Sequence, residues 1–147
     1  MTSVAIGGTF DILHDGHKAL LNKAHTLGDV VIGLVSDEMA QRKAGLTNTY
    51  DTRKKKVGSY IKALTGTDPE IVTLNDPYGP TLQQKFDYIV VSPDTLRTAK
   101  EINVLRSQRG LPAITIVCVD FVLAKDGRPI SSTRIRRGEI DDHGVLL

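Results

Sequence analysis

The feature that most constrains this chain is an alternation. Short, continuously apolar runs, SVAIG, DVVIGLVS, EIVTLND, FDYIVVS and ITIVCVDFV, are separated by longer segments with a helical period. In HKALLNKAHTLG, Ala19, Leu20, Leu21, Ala24 and Leu27 recur at helical spacing, and Gly28 marks a stop. A strand apolar at every position is a strand buried on both faces, and strands alternating with helices make a parallel sheet. The sequence therefore predicts an α/β sandwich. Ser36 is a cap candidate for a helix in SDEMAQRK, with acids in its first turn. A further helix is predicted from Thr52 to Leu64, with Val57, Tyr60, Ile61 and Leu64 on one face. In PDTLRTAKEINVLRSQRG, Pro93 suits a first helical turn and Gly110 an end. DPYGPT and KDGRP read as loops, with Gly127 a turn residue.

The alternation predicts a single-domain, Rossmann-like, doubly wound, mostly parallel five-stranded sheet with helices on both faces, spanning residues 1–147. That length suits one core. Hydrophobic residues make up 40% and charged residues 24%, an ordinary globular mix. No apolar stretch approaches the roughly 18 residues of a membrane span, so no membrane partner is expected. MTSVAIGGTF lacks the basic and apolar regions of a secretory signal. The lone cysteine, Cys118, lies in TIVCVDFV, which predicts a buried strand thiol, and a reducing cytoplasm follows. The net charge is +2, too small to argue for nucleic acid by itself. Two basic runs, Arg53 to Lys56 and Arg134 to Arg137, read first as solvated helix faces. No aromatics interleave with them, so no nucleic-acid partner is expected.

Parallel sheets of this kind bind ligands outside the carboxyl ends of their strands. GGTFDILHDGH, SDEMAQRK, NDPYGP, SPDTLR and ISSTRIR each follow one of the five runs, so all lie on one rim. The pair Gly7 and Gly8 lets backbone amides approach a ligand closely. The helix after it offers free N–H groups to an anion. Thr9 adds a hydroxyl, and Gly16 leaves room for a bulky anion between His14 and His17. These histidines are three apart and point to one side of a first helical turn. Neither a P-loop nor a GxGxxG fingerprint is present. Three readings remain from the residues alone. The histidines hold a metal with Asp11 and Asp15 as the only nearby carboxylates, or they are incidental, or they bind phosphate.

GGTFDILHDGHKALL resembles the GTFDxxHxGH signature of the nucleotidyltransferase superfamily, and ISSTRIR resembles its second signature, ISSTxxR. With SDE, DPYGPT, IVVSPDT and ISSTRIRRGEID between and around them, nearly the whole chain is similar to the archaeal and eukaryotic-type phosphopantetheine adenylyltransferase family. Bacterial relatives usually carry TxGH, so His14 agrees with the archaeal form. The resemblance implies adenylyl transfer from ATP to 4′-phosphopantetheine, giving dephospho-coenzyme A and pyrophosphate, with Mg2+ assisting and no covalent enzyme intermediate. It further implies that Thr9 holds the acceptor phosphate and that His14 and His17 contact the α-phosphate. Lys43 matches a mobile lysine spanning the two phosphates, a role to which Lys54 to Lys56 are less suited. Gly7, Gly8, Phe10 and Gly16 would lie along the nucleotide. Ile130, Ser131, Ser132 and Thr133 would receive the β- and γ-phosphates, and Arg136 would touch the triphosphate or form a surface salt bridge. Arg97 is a substrate contact or a solvated side chain, and Asp76 and Tyr78 line the pantetheine arm or make a turn. Rival readings are a cytidylyltransferase, an FAD synthetase, or a nucleotide-binding module without turnover. The expected assembly is a monomer or small homo-oligomer.

Overall fold

The computed structural model describes residues 2–45 and 47–147. In chain order the elements are β1 (Ser3–Gly8), α1 (Asp15–Leu27), β2 (Asp29–Val35), α2 (Asp37–Ala44) and α3 (Tyr50–Thr65). There follow β3 (Glu70–Leu74), a 3-10 turn (Gly79–Leu82), β4 (Tyr88–Val91), α4 (Leu96–Gln108), β5 (Thr115–Cys118) and α5 (Ser132–Arg136). The strands form one sheet in the order β3-β2-β1-β4-β5, and every neighbouring pair is parallel. The chain steps outward from β1 to β2 and β3, then returns to the other flank of β1 for β4 and β5. The order reverses between β1 and β4, which leaves a crevice at their carboxyl ends.

The three inner strands, β2, β1 and β4, are largely apolar because both of their faces are covered. Val4 and Ile6 of β1 pack with Leu21 and Ala24 of α1 and with Val57 and Ile61 of α3. Ala5, between them, points the other way and packs with Ile89, Ala99 and Ile102, so α4 covers the second face. Helix α2 is anchored more lightly. Its Met39 and Ala40 pack on Val35 and Leu74 at the rim. The segment after β5 closes its own small cluster of Ala124, Ile130 and Ile140 beside α5.

Several local expectations hold. Ser36 caps α2, its Oγ accepting from Met39 N at 3.2 Å. Gly127 is a turn residue with φ of 80°. Others are corrected. Helix α3 starts at Tyr50, because Thr49 caps it by accepting from Thr52 N at 3.3 Å. Leu64 is 45% exposed on its last turn rather than part of the apolar face. Pro93 precedes α4 and sits in a turn closed by Thr95 N donating to Ser92 O at 3.1 Å, so it opens no helical turn. Cys118 is exposed. Its apolar neighbours reflect a sheet strand, but β5 is one of the two edge strands, and edge position is not written in a strand's own composition.

Candidate functional site

The site is built on the first turn of α1. His14 is its N-cap, with extended backbone (φ −131°, ψ 176°). Its Nδ1 accepts from Gly16 N at 3.0 Å and His17 N at 3.3 Å, doing what a serine or aspartate oxygen does at most caps. A Cβ on Gly16 would lie 2.8 Å from Cε1 of His14. The glycine thus makes way for the imidazole. His17 stacks on His14 with centroids 3.7 Å apart and planes 18° apart. Phe10 meets His17 edge-on at 5.2 Å. Phe10 is 2% exposed and has a φ of 48°, a left-handed conformation that costs a bulky residue roughly 1–3 kcal/mol. Its role is to support the imidazole stack from the core, while its edge still reaches the cavity wall.

The second signature arrives from the other end of the chain. Ser131 caps α5, its Oγ accepting from Arg134 N at 3.2 Å. Ser132 Oγ accepts from Ile12 N at 3.2 Å and donates to Ile12 O at 3.3 Å, joining segments 120 residues apart. Arg136 Nη2 pairs with Oδ2 of the buried Asp11. Together these contacts enclose a cavity of about 400 Å³ whose wall includes Gly7, Gly8, Thr9, Lys43, Thr133 and Arg136. An adjoining cavity of about 190 Å³ is lined by His14, Gly16, Ile130 and Ser131 on one side and by Leu20, Val119, Phe121 and Val122 on the other. His17 and Ser132 face both. A narrow apolar cleft of about 80 Å³ continues from Gly7, Gly8 and Lys43 towards Met39, Leu74 and Ile102.

Both histidines are neutral at pH 7. Burial is the main cause for His14, pushing it down to about 4 against the pull of the Asp15 and Asp142 carboxylates. His17 falls to about 3, by burial first and then by the adjacent His14, with the Ile12 carbonyl opposing. Because Nδ1 of His14 accepts two amide N–H groups, its proton sits on Nε2, which is left as a donor. Among the described residues, Nδ1 of His17 is a buried side-chain polar atom with no hydrogen-bond partner.

Not every sequence candidate joins this cavity. Arg97 has a 92% exposed side chain and lies 3.8 Å from Glu101, a solvated i,i+4 pair. Asp76 Oδ1 accepts from Tyr78 N and Gly79 N, both at 2.8 Å, so it is a turn residue. Tyr78 instead packs with the α4-side core and donates to Glu101 at 3.4 Å. Lys54 to Lys56 are exposed on α3. The solvated-face reading holds for these three lysines and fails only at their neighbour Arg53. It is 0% exposed and donates to Asn48 O and Thr9 O, each at 2.9 Å, and to Asp37 Oδ1 at 3.3 Å. Arg134 is also buried, paired with Asp126 and Glu139. Sequence reasoning missed Ser92 and Asp94, which line both larger cavities, and Asn48, which bonds Asp11. Their position after β4 was the only available signal for the first two.

Residues 5–138 match the model of the family described as Cytidylyltransferase-like. The chain is 49% identical to phosphopantetheine adenylyltransferase of Methanosarcina acetivorans, over 99% of this chain and 96% of that protein. It is 47% identical to phosphopantetheine adenylyltransferase of Archaeoglobus fulgidus, over 98% and 99%. A crystal structure of a protein with unknown function from Archaeoglobus fulgidus superposes with a TM-score of 0.79 at 44% identity, covering 82% of this chain and 90% of that one. A lipopolysaccharide core biosynthesis protein from Thermoplasma volcanium shares the fold, with a TM-score of 0.64 at 23% identity over 81% and 96%.

Proposed function

This chain belongs to the phosphopantetheine adenylyltransferase family, within the cytidylyltransferase-like nucleotidyltransferases, and on that premise we propose that it transfers the adenylyl group of ATP to 4′-phosphopantetheine. The products are dephospho-coenzyme A and pyrophosphate. The observation that carries the reading is the junction of Ser132 with Ile12, which brings both signature segments and two neutral imidazoles to a pair of adjoining cavities.

The reaction needs little from the protein beyond placement. An oxygen of the acceptor phosphate attacks the α-phosphorus, and the bond to the bridging oxygen breaks, so that pyrophosphate leaves with the electron pair. An ionised phosphate requires no general base, and catalysis is positioning plus stabilisation of charge on the α-phosphate. His14 Nε2–H and the His17 ring donate to the non-bridging oxygens. Because both rings are neutral, they do so without a counter-proton to shed at pH 7. Thr9 and Lys43 hold the acceptor phosphate, while Ser132, Thr133 and Arg136 face the departing pyrophosphate. The apolar wall of Leu20, Val119 and Phe121 takes the base, and the cleft over Met39, Leu74 and Ile102 takes the pantetheine arm.

Direct transfer without a covalent intermediate is part of the proposal. His14 has no free lone pair, since Nδ1 is engaged and Nε2 is protonated. Cys118, the lone thiol, does not line the cavity. Among the described residues no group of three metal-ligating side chains exists. Asp94 and Asp120 line the cavity wall and suit Mg2+, which keeps phosphate oxygens and waters and takes one or two carboxylates. When bound there, that ion would neutralise triphosphate charge. No helix among the described residues is long and apolar enough to cross a membrane, and the exposed thiol suits action in the cytoplasm.

Pyrophosphate release tests the reading, with ATP, CTP and GTP against phosphopantetheine, phosphocholine, glycerol 3-phosphate and FMN. Turnover is expected with ATP and phosphopantetheine. Turnover only with CTP and a small alcohol phosphate would replace this substrate pair with another. His17→Ala is expected to lower turnover at least about 100-fold, near 2.7 kcal/mol of transition-state stabilisation, and Lys43→Ala to slow it as well. A near-normal rate for His17→Ala would remove that imidazole from the chemical step.

A further inference from the structure

We infer that Asn48 is a positioning residue that fixes Lys43 over the cavity by clamping the segment after α2 onto Asp11. The inference rests on the adenylyl-transfer reading for its kinetic test, though not for its geometry.

Asn48 grips one residue twice. Its backbone N–H donates to Asp11 Oδ1 at 2.7 Å, and its side-chain Nδ2 donates to Asp11 O at 3.0 Å. Paired bonds to one residue fix orientation as well as distance. Asp11 is itself buried and immobilised, since Arg136 occupies its other carboxylate oxygen. Arg53 then joins the clamp to the first signature loop by donating to both Asn48 O and Thr9 O. The start of α2 is held by the same arginine, because Asp37 Oδ1 accepts from Arg53 Nη2 at 3.3 Å and from Tyr50 N at 2.7 Å.

Helix α2 is therefore pinned at its first residue and again just beyond its end. Lys43 lies between those two points, on the last turn, and lines the cavity together with Thr9. Among the described residues the apolar anchor of α2 is small, with Met39 and Ala40 as its buried contacts. A short helix with so little apolar contact takes its position from the polar bonds at its ends. Asn48 does not line the cavity, so it acts through Lys43 and not on substrate.

Asn48→Ala removes the side-chain bond while leaving both backbone contacts, so the fold is retained. The expected result is a fall of about tenfold in kcat/KM for phosphopantetheine in the otherwise native chain. In a Lys43→Ala background the same change should cost less than twofold, because the lysine it positions is already gone. Equal costs in the two backgrounds, or no cost in the first, would overturn the inference. Hydrogen exchange gives a second readout that needs no turnover. Asn48→Ala should accelerate exchange across residues 37–45 several-fold while β1 and α5 stay unchanged, and uniform or absent acceleration would overturn the clamp. A native chain inactive on ATP and phosphopantetheine would refute the substrate reading instead, and the exchange result would still decide the role of Asn48.

Discussion

Two basic runs of equal length, RKKK at Arg53 to Lys56 and RIRR at Arg134 to Arg137, end in different chemistry. Each buries one arginine. Arg134 lies among carboxylates, those of Asp126 and Glu139, and staples the C-terminal loop to α5. Arg53 leans on the neutral carbonyls of Thr9 and Asn48, with a single carboxylate, Asp37, whose side chain is itself 62% exposed. The first is an ion pair that organises one local segment. The second is a cation used as a three-way backbone connector between α2, α3 and the loop that carries Thr9. A local run of charge therefore says nothing about which of its members will be withdrawn from water.

The largest expected effect comes from breaking the connector. Arg53→Ala leaves two carbonyls without their donor and an empty volume in the core, a loss of about 3 kcal/mol. For a chain of this size that lowers Tm by about 10 °C, and calorimetry should show a smaller drop for Arg134→Ala, whose partners can turn to water. A larger drop for Arg134→Ala would reverse the comparison.

Acid separates these ion pairs from the histidines, because the hydrogen bonds from Arg134 hold Asp126 down to about 2. His14 and His17, however, take up protons near 6.5 when unfolded and only at about 4 and about 3 when folded. Between those values the unfolded chain binds more protons, so stability is complete above pH 6.5 and declines as pH falls towards 4. His14 alone accounts for roughly 3 kcal/mol at the end of that range. Urea unfolding from pH 7.5 to 4 should show this slope, and His14→Gln should reduce it to the part that His17 supplies. An unchanged slope would place the proton uptake elsewhere.

The smallest effect is the control. Lys55→Ala, on the exposed face of α3, should change stability by less than about 0.5 kcal/mol and leave turnover unaltered. A clear loss of activity would mean that the lysines of the first run reach substrate after all.

Much of the architecture was legible because strands and helices carry their own periodicity. The five apolar runs became five parallel strands, and residues after β1, β2, β4 and β5 line the two cavities. Two motifs at opposite ends of the chain could be paired by resemblance before any contact between them was visible. Other features were out of reach for reasons of the same kind. Pro93 fits a first helical turn by type, yet the Ser92–Thr95 turn delays α4 to Leu96. Arg97 sits after the right strand, but the helix points it into solvent. That Gly16 also makes way for the ring of His14 could not be read from its spacing.

What the sequence determined by itself was whatever depends on residues near one another: element type, cap residues such as Ser36, and the chemistry gathered after each strand. Tertiary structure alone decided burial and partnership. Whether Cys118 faces solvent, whether Arg53 is withdrawn from it, and which oxygen of Asp11 meets Asn48 or Arg136 depend on segments tens of residues away. Desolvation and hydrogen bonding are set by the neighbours in space, and only the folded chain supplies them.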